Sequence, residues 1–149
     1  MSALELPAAL KELVAAGAWP LTEQEANRQN LAAAPIPAAL VQRLVPGEDQ
    51  IYLFRPPFRT IAERCAGPEA KFWREFGALQ EIDPARAVVI GDFGLGSDAV
   101  IVLDYRAPAE PSLIRLAWTG GERRPRWVPF FDTFAAFARA FDLAGGRWR

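Results

Sequence analysis

The middle of the chain, residues 87–105, reads AVVIGDFGLGSDAVIVLDY. It contains two β-favouring runs, Ala87–Ile90 and Ala99–Tyr105, separated by a turn rich in glycine and aspartate. A third run, Ser112–Trp118, follows a second connection that is also too short to hold a crossover helix. The spacing therefore predicts consecutive strands that pair antiparallel.

The flanking sequence predicts further strands and several helices. Ile51–Phe54 is a β-favouring run that ends at Pro56-Pro57, where donors for a sheet are lost, so it predicts an edge or first strand. Trp127-Val128 predicts a short additional strand. Helical spacing or capping signals predict helices at Leu6, Leu10, Leu13 and Val14, at Thr22 and Glu25, at Leu40, Val41 and Leu44, and at Phe72, Trp73, Phe76 and Leu79.

The last predicted helix has the most regular apolar pattern. Asp132 is the expected N-cap, and Phe130, Phe134, Phe137 and Phe141 are separated by four, three and four residues. This stripe of phenylalanines is expected to be buried against the sheet.

The composition is that of one folded domain. Hydrophobic residues make up 51% of the 149 residues, which suffices for a core without metals or disulfides. Together with the order of the elements, this predicts a single α+β domain over residues 1–149, in which an antiparallel sheet of about four to six strands is backed by helices.

The residues that are scarce in the chain exclude several classes of function. There is no histidine and only one cysteine, Cys65, which excludes Ser-His-Asp and Cys-His catalysis, a disulfide framework and a Cys-based zinc site. Seventeen Lys and Arg residues against 18 Asp and Glu residues give a net charge of -1, so no global charge attracts nucleic acid or an anionic membrane. No apolar run approaches the roughly 20 residues of a membrane span. We therefore expect a cytoplasmic protein without a cofactor that binds neither nucleic acid nor membrane.

Residues 90–105 resemble the central hairpin of the SUKH superfamily, in which a strand, a glycine and acidic turn, and an apolar strand closed by Asp follow one another. The segment 51–61 with Pro56-Pro57-Phe58, the strand end at Trp118, and Trp127-Val128 leading into residues 131–137 add to the similarity. These pieces occur in order over about two thirds of the chain.

The resemblance implies an antiparallel sheet backed by helices and offers no catalytic residues. Many bacterial members of the superfamily are immunity proteins that neutralise polymorphic toxins, and fungal relatives include regulators of cell-wall assembly. We therefore expect a non-enzymatic protein-binding domain that neutralises a bacterial polymorphic toxin by stoichiometric binding. The alternatives are a regulatory scaffold protein with no toxin partner and a small carboxylate-dependent hydrolase.

The turn between the first two central strands allows two functional interpretations beside a structural one. Backbone N–H groups of a glycine-rich loop can hold phosphate, but a strand follows here and no Lys does, so Gly94 and Gly96 are expected to permit positive φ in a structural turn. The second functional interpretation is a carboxylate cluster of Asp92, Asp98 and Asp104 that serves in hydrolysis or binds a hard cation. Aspartates in turns commonly accept hydrogen bonds from nearby backbone N–H groups, which favours the structural interpretation.

The densest basic and aromatic cluster consists of Arg123, Arg124 and Arg126 beside Trp127, with residues 147–149 as a further basic and aromatic group. A nucleic-acid site can use such residues, but the balanced net charge and the lack of a recognition helix favour a solvated hairpin loop and tail. Such a loop can also contact an acidic protein. The candidate partner interface is therefore Asp92, Asp98, Arg123, Arg124 and Arg126.

Overall fold

The computed structural model describes residues 4–31, 36–94, 99–107, 110–119 and 124–145. Within these ranges the chain has the predicted α+β fold, with a five-stranded antiparallel sheet and several helices. The strands are β1 (Tyr52–Leu53), β2 (Ala87–Asp92), β3 (Val100–Asp104), β4 (Ser112–Thr119) and β5 (Arg124–Phe131). The helices are α1 (Ala8–Ala15), α2 (Glu23–Leu31), α3 (Ala38–Leu44), α4 (Ile61–Arg64), α5 (Ala70–Gly77) and α6 (Phe134–Ala140).

The sheet follows the order of the sequence, β1-β2-β3-β4-β5, and each strand pairs antiparallel with the next. This confirms the predicted antiparallel pairing of the central strands and the position of the 51–54 segment at one edge of the sheet. The other edge is β5, which is longer than the predicted Trp127-Val128, and seven of its eight residues pair with β4. In the described ranges, no helix has the length and the apolar character needed to traverse a bilayer.

Both faces of the sheet are covered, because its central strands are apolar at nearly every position. Side chains alternate along each strand, so Ile90 and Leu103 point into one hydrophobic cluster, whereas Val89 and Val102 point into a second. Residues of α1, α3 and α6 complete the first cluster, and residues of α4 and α5 complete the second. The sheet is therefore the middle of three layers, and the C-terminal helix packs on it as predicted.

The start of α6 differs from the prediction. The N-cap is Thr133 rather than Asp132, and its Oγ1 accepts a hydrogen bond from the backbone N of Ala136 at 3.1 Å. Phe130 belongs to β5, although its ring still contacts that of Phe137 with a centroid separation of 5.9 Å. The four-residue spacing from Phe130 to Phe134 therefore does not belong to the helix. Phe130 lies in the strand before α6, and its ring packs into the same hydrophobic cluster as the phenylalanines of the helix.

Helix α4 begins with a capping box that was not predicted. The Thr60 Oγ1 accepts from the Glu63 backbone N at 3.1 Å, and a Glu63 carboxylate oxygen accepts from the Thr60 backbone N at 2.9 Å. At the predicted capping box of α2, Thr22 accepts from the Glu25 backbone N, but the Glu25 carboxylate accepts from the backbone N of Leu21 instead of that of Thr22. Half of the predicted arrangement is thus present.

Candidate functional site

A cleft of about 570 Å³ lies beside β1, between the segment that follows this strand and the α4–α5 region. We call it the β1 cleft. Its lining combines aromatic, proline and charged residues, and those that matter below are Tyr52, Phe54, Arg55, Pro56, Pro57, Arg59, Glu63, Arg64, Glu69 and Trp73.

The backbone around the cleft is fixed at both ends of residues 54–59. The N–H of Phe54 donates to the carbonyl of Ile90 at 2.9 Å, and the N–H of Val89 donates to the carbonyl of Arg59 at 3.0 Å. These two bonds anchor the segment to consecutive residues of β2, so the four residues between them project from the sheet edge. The indole N–H of buried Trp19 adds a third bond, to the carbonyl of Phe54 at 2.8 Å.

β1 can approach β2 closely because residue 91 is glycine. A Cβ atom at Gly91 would lie 2.7 Å from the carbonyl oxygen of Tyr52, which is closer than real Cβ contacts allow. Any side chain here would push β1, and with it one wall of the cleft, away from the sheet.

Arg64 is the central cation of the cleft. Its guanidinium carbon lies 5.2 Å from the ring centroid of Phe54 and 5.3 Å from that of Trp73, so the group is in cation–π contact with both. Burial lowers the pKa of Arg64, and the nearby positive charge of Arg59 lowers it further. The buried Nε–H of Arg64 has no hydrogen-bond acceptor in the described part of the chain.

Asp92 lies at the end of β2, directly across from Tyr52. Its Oδ1 accepts from the backbone N of Gly94 at 3.0 Å, and Gly94 has a φ of +105°, as the turn prediction required. Burial raises the pKa of Asp92 to about 7; the negative charges of Glu48 and Glu69 also raise it, whereas the Gly94 hydrogen bond and the positive charge of Arg64 lower it. Asp92 is thus a carboxyl group at the margin of the β1 cleft that titrates near neutral pH.

Asp104 lies at the opposite end of the β2–β3 hairpin. It pairs with Ala87, whereas Asp92 pairs with Val100, so roughly 16 Å of strand separate the two aspartates. The Asp104 carboxylate accepts from the backbone N and from Nε and Nη2 of Arg106 at 2.9 to 3.1 Å. Both aspartates thus make the local bonds expected of a structural role, and they do not form a pair for hydrolysis.

Asp98 and Gly96, which belong to the same predicted turn, lie outside the described residues. No group of three or more Asp, Glu, Cys or His residues that could hold a metal ion occurs among the residues whose positions are described.

The basic residues near Trp127 are arranged differently from the predicted loop cluster. Arg124 and Arg126 lie on β5, and their side chains are exposed. Trp127 points to the opposite face of the sheet, where it is buried and its indole N–H donates to the carbonyl of Phe76 at 2.9 Å. Arg126 and Trp127 therefore do not share one basic and aromatic surface, because neighbouring residues of a strand face opposite ways.

The described residues of the predicted interface are not adjacent to one another. Asp92 lies on β2 and Arg124 and Arg126 lie on β5, three strands away, roughly 14 Å across the sheet. Arg123 and the C-terminal residues 147–149 lie outside the described residues, as does Asp98. A role of any of them in binding stays a prediction.

The three arginines of the β1 cleft were not among the residues predicted for the partner interface. A signal was present, since Arg55, Arg59 and Arg64 follow one another at short intervals among proline and aromatic residues. Trp73 lies in a predicted helical pattern, and because helical spacing is also what core packing requires, the sequence does not indicate that Trp73 lines a cleft.

Comparisons of the chain with protein-family models, with curated proteins and with solved structures found no match.

Proposed function

We propose that this protein is a non-enzymatic protein-binding domain of the immunity type, which neutralises a bacterial polymorphic toxin by stoichiometric binding through the β1 cleft. The resemblance of residues 90–105 to the SUKH hairpin supports the toxin as the partner. The lining of the β1 cleft is the surface on which we propose that the toxin binds.

The observation that carries the proposal is the chemical character of the cleft lining. Arg, Trp and Tyr are the residue types that dominate the binding energy of protein interfaces, and here they line one concave surface held by backbone bonds to β2. Two carboxylates, those of Glu63 and Glu69, also line the cleft. That of Glu63 is engaged in the capping box of α4 with Thr60. The arrangement suits recognition by shape and charge.

The proposal predicts that a toxin domain is encoded next to the gene of this protein, and it is tested by co-expression of the two. We expect the wild-type protein to restore growth and to co-purify with the toxin in a one-to-one complex. The double substitution Arg55→Ala and Arg59→Ala should weaken the complex by about tenfold to a hundredfold, since two interface cations are removed. Arg139→Ala, on the exposed side of α6, is the matched control and should neutralise as the wild type does.

Two results would count against the proposal. One is full neutralisation by the Arg55→Ala and Arg59→Ala protein, which would place recognition elsewhere. The other is neutralisation at substoichiometric amounts with a chemically altered toxin, which would indicate an enzyme.

A further inference from the structure

Building on the proposed function, we infer that the β1 cleft receives an acidic segment of the partner protein, with Asp or Glu carboxylates bound by Arg55, Arg59 and Arg64.

The charges of the lining call for an anion. Three arginines and two glutamates line the cleft, and none of Arg55, Arg59 and Arg64 forms an ion pair in the described part of the chain. Burial and the positive charge of Arg59 lower the pKa of Arg64, whereas the negative charges of Glu69 and Asp92 raise it. A carboxylate placed between Arg59 and Arg64 would offset the repulsion between these two cations.

The packing of Arg64 prepares it for a carboxylate. The rings of Phe54 and Trp73 contact its guanidinium and restrict its movement. A planar guanidinium presents its remaining donors at its edge, in a fork that matches the two oxygens of a carboxylate. Because the group is already held in place, little side-chain entropy is lost when a ligand binds.

Glu63 argues against a nucleic acid as the ligand. Its carboxylate is held by hydrogen bonds to the backbone N and the Oγ1 of Thr60, and these bonds lower its pKa, so it stays charged and fixed on the lining. A strand of regularly spaced phosphates would meet this charge, whereas a peptide can place its carboxylates at the arginines alone. A free small anion would leave most of a 570 Å³ cleft with proline and aromatic walls unused.

The test is a titration of the full chain with short synthetic probes, followed by NMR of the Arg64 Nε–H and the Trp73 indole N–H. The probes are an acetylated and amidated peptide rich in Asp and Glu with one Leu, the same peptide with Asn and Gln, a short oligouridylate, and inorganic phosphate. We expect the acidic peptide to shift both signals, and the amide peptide to bind about tenfold more weakly or not at all.

Variants locate the binding. Arg59→Gln should weaken the acidic peptide by about threefold to tenfold, because the side chain is exposed and its ion pairs are modest. Arg64→Lys keeps the charge but loses the planar fork, so it should also weaken binding, and Arg43→Gln on α3 should not. The inference is overturned if the amide peptide binds equally well, if oligouridylate or phosphate binds more tightly than the acidic peptide, or if Arg59→Gln has no effect.

The two proposals can fail separately. A toxin complex that forms while no acidic peptide binds in the cleft overturns this inference and leaves the proposed function in place. An acidic peptide that binds in the cleft of a protein that neutralises no toxin overturns the proposed function and supports the inference.

Discussion

Asp92 shows how a single strand irregularity sets the chemistry of a residue. The pairing of β2 with β3 shifts between Val89 and Gly91, so that Asp92 lies opposite Val100, whose side chain belongs to the second hydrophobic cluster. Without this bulge, regular alternation would place Asp92 on the same face as Val88 and Ile90, in the first cluster. The bulge instead places Asp92 opposite Val100, where the charges of Glu48, Glu69 and Arg64 act on its carboxyl group.

The pKa of Asp92 predicts a pH dependence of stability. Burial raises this pKa from its ordinary value of 3.8 to about 7, so the folded state binds the proton more tightly than the unfolded state does. The contribution of Asp92 to the free energy of unfolding is therefore fully present below about pH 4, and it is lost as the pH rises through about 7. We expect the free energy of unfolding of the wild type to fall by on the order of 3 kcal/mol between about pH 4 and pH 8 from this group.

Asp92→Asn removes the titration and retains an oxygen that can accept from the Gly94 N–H. Urea unfolding at several pH values should therefore give a much flatter profile for Asp92→Asn, with a small slope left by Glu48, whose pKa burial also raises. Asp132→Asn, at an exposed position, is the control and should retain the wild-type slope. Equal slopes for wild type and Asp92→Asn would show that the carboxyl is not buried as described.

The bonding of the turn aspartates could be predicted from sequence, but the environment of Asp92 could not. An Asp followed by a turn has its own backbone within reach, and Asp92 and Asp104 both accept from the N–H two residues later. The face to which Asp92 points depends on the register against β3, and no local signal marks the bulge. Burial and raised pKa follow from that register.

Edge strand β5 is protected against pairing with another chain. The N–H of Trp127 points away from β4 and donates to the Glu81 carboxylate at 3.2 Å. Alternate residues of a strand point their N–H groups the same way, so the equivalent outward positions on either side are Pro125 and Pro129, which have no N–H. Two outward donors are thus absent and the third is satisfied within the chain, which is how natural proteins keep exposed sheet edges from associating.

Restoring these donors should make the protein associate. We expect the combined substitution Glu81→Ala, Pro125→Thr and Pro129→Val to self-associate as concentration rises, because three adjacent N–H groups become available to a second copy. Sedimentation velocity should be run at about 1 M salt, where the Debye length is about 3 Å and repulsion between the exposed arginines of β5 is screened. Glu81→Gln, which keeps an acceptor for the Trp127 N–H, should sediment as the wild type does. Identical sedimentation of all three proteins would contradict this account of the edge.

At the level of elements, the long apolar strands and the edge position of β1 were predicted, whereas the short helix α4 and the full length of β5 were not. β2, β3 and β4 are continuous runs of β-branched and apolar residues, which local preference alone identifies. α4 has only four residues, so its capping signal at Thr60 was not supported by a helical pattern. The β1 cleft depends on the pairing of residues 54 and 59 with β2, which is a contact between distant parts of the chain.

The two hydrophobic clusters lie on opposite faces of one sheet and share its strands. Each of β2, β3 and β4 contributes alternate side chains to both clusters. A loss of packing on one face therefore weakens the strands that the other face needs, and the chain should unfold as one cooperative unit. The indole of Trp19 is buried in the first cluster and that of Trp127 in the second. Each of these indole N–H groups donates to a backbone carbonyl, that of Phe54 or that of Phe76, so its hydrogen exchange reports on the opening of its cluster.

Phe137→Leu tests this coupling between the faces. Phe137 is fully buried in the first cluster, so the substitution should cost about 1 to 2 kcal/mol through lost contacts and a small cavity. If the whole molecule opens as one unit, native-state hydrogen exchange of the Trp19 and Trp127 indoles should accelerate by the same factor, about fivefold to thirtyfold. Leu21→Ala changes a side chain that is 40% exposed and should leave both rates near those of the wild type.

Faster exchange at Trp19 with an unchanged rate at Trp127 would mean that the helices of the first face open independently of the layer that forms the β1 cleft. The cleft would then be unaffected by substitutions behind the sheet, whereas cooperative opening predicts that Phe137→Leu raises the small population of molecules with an unfolded cleft by the same factor.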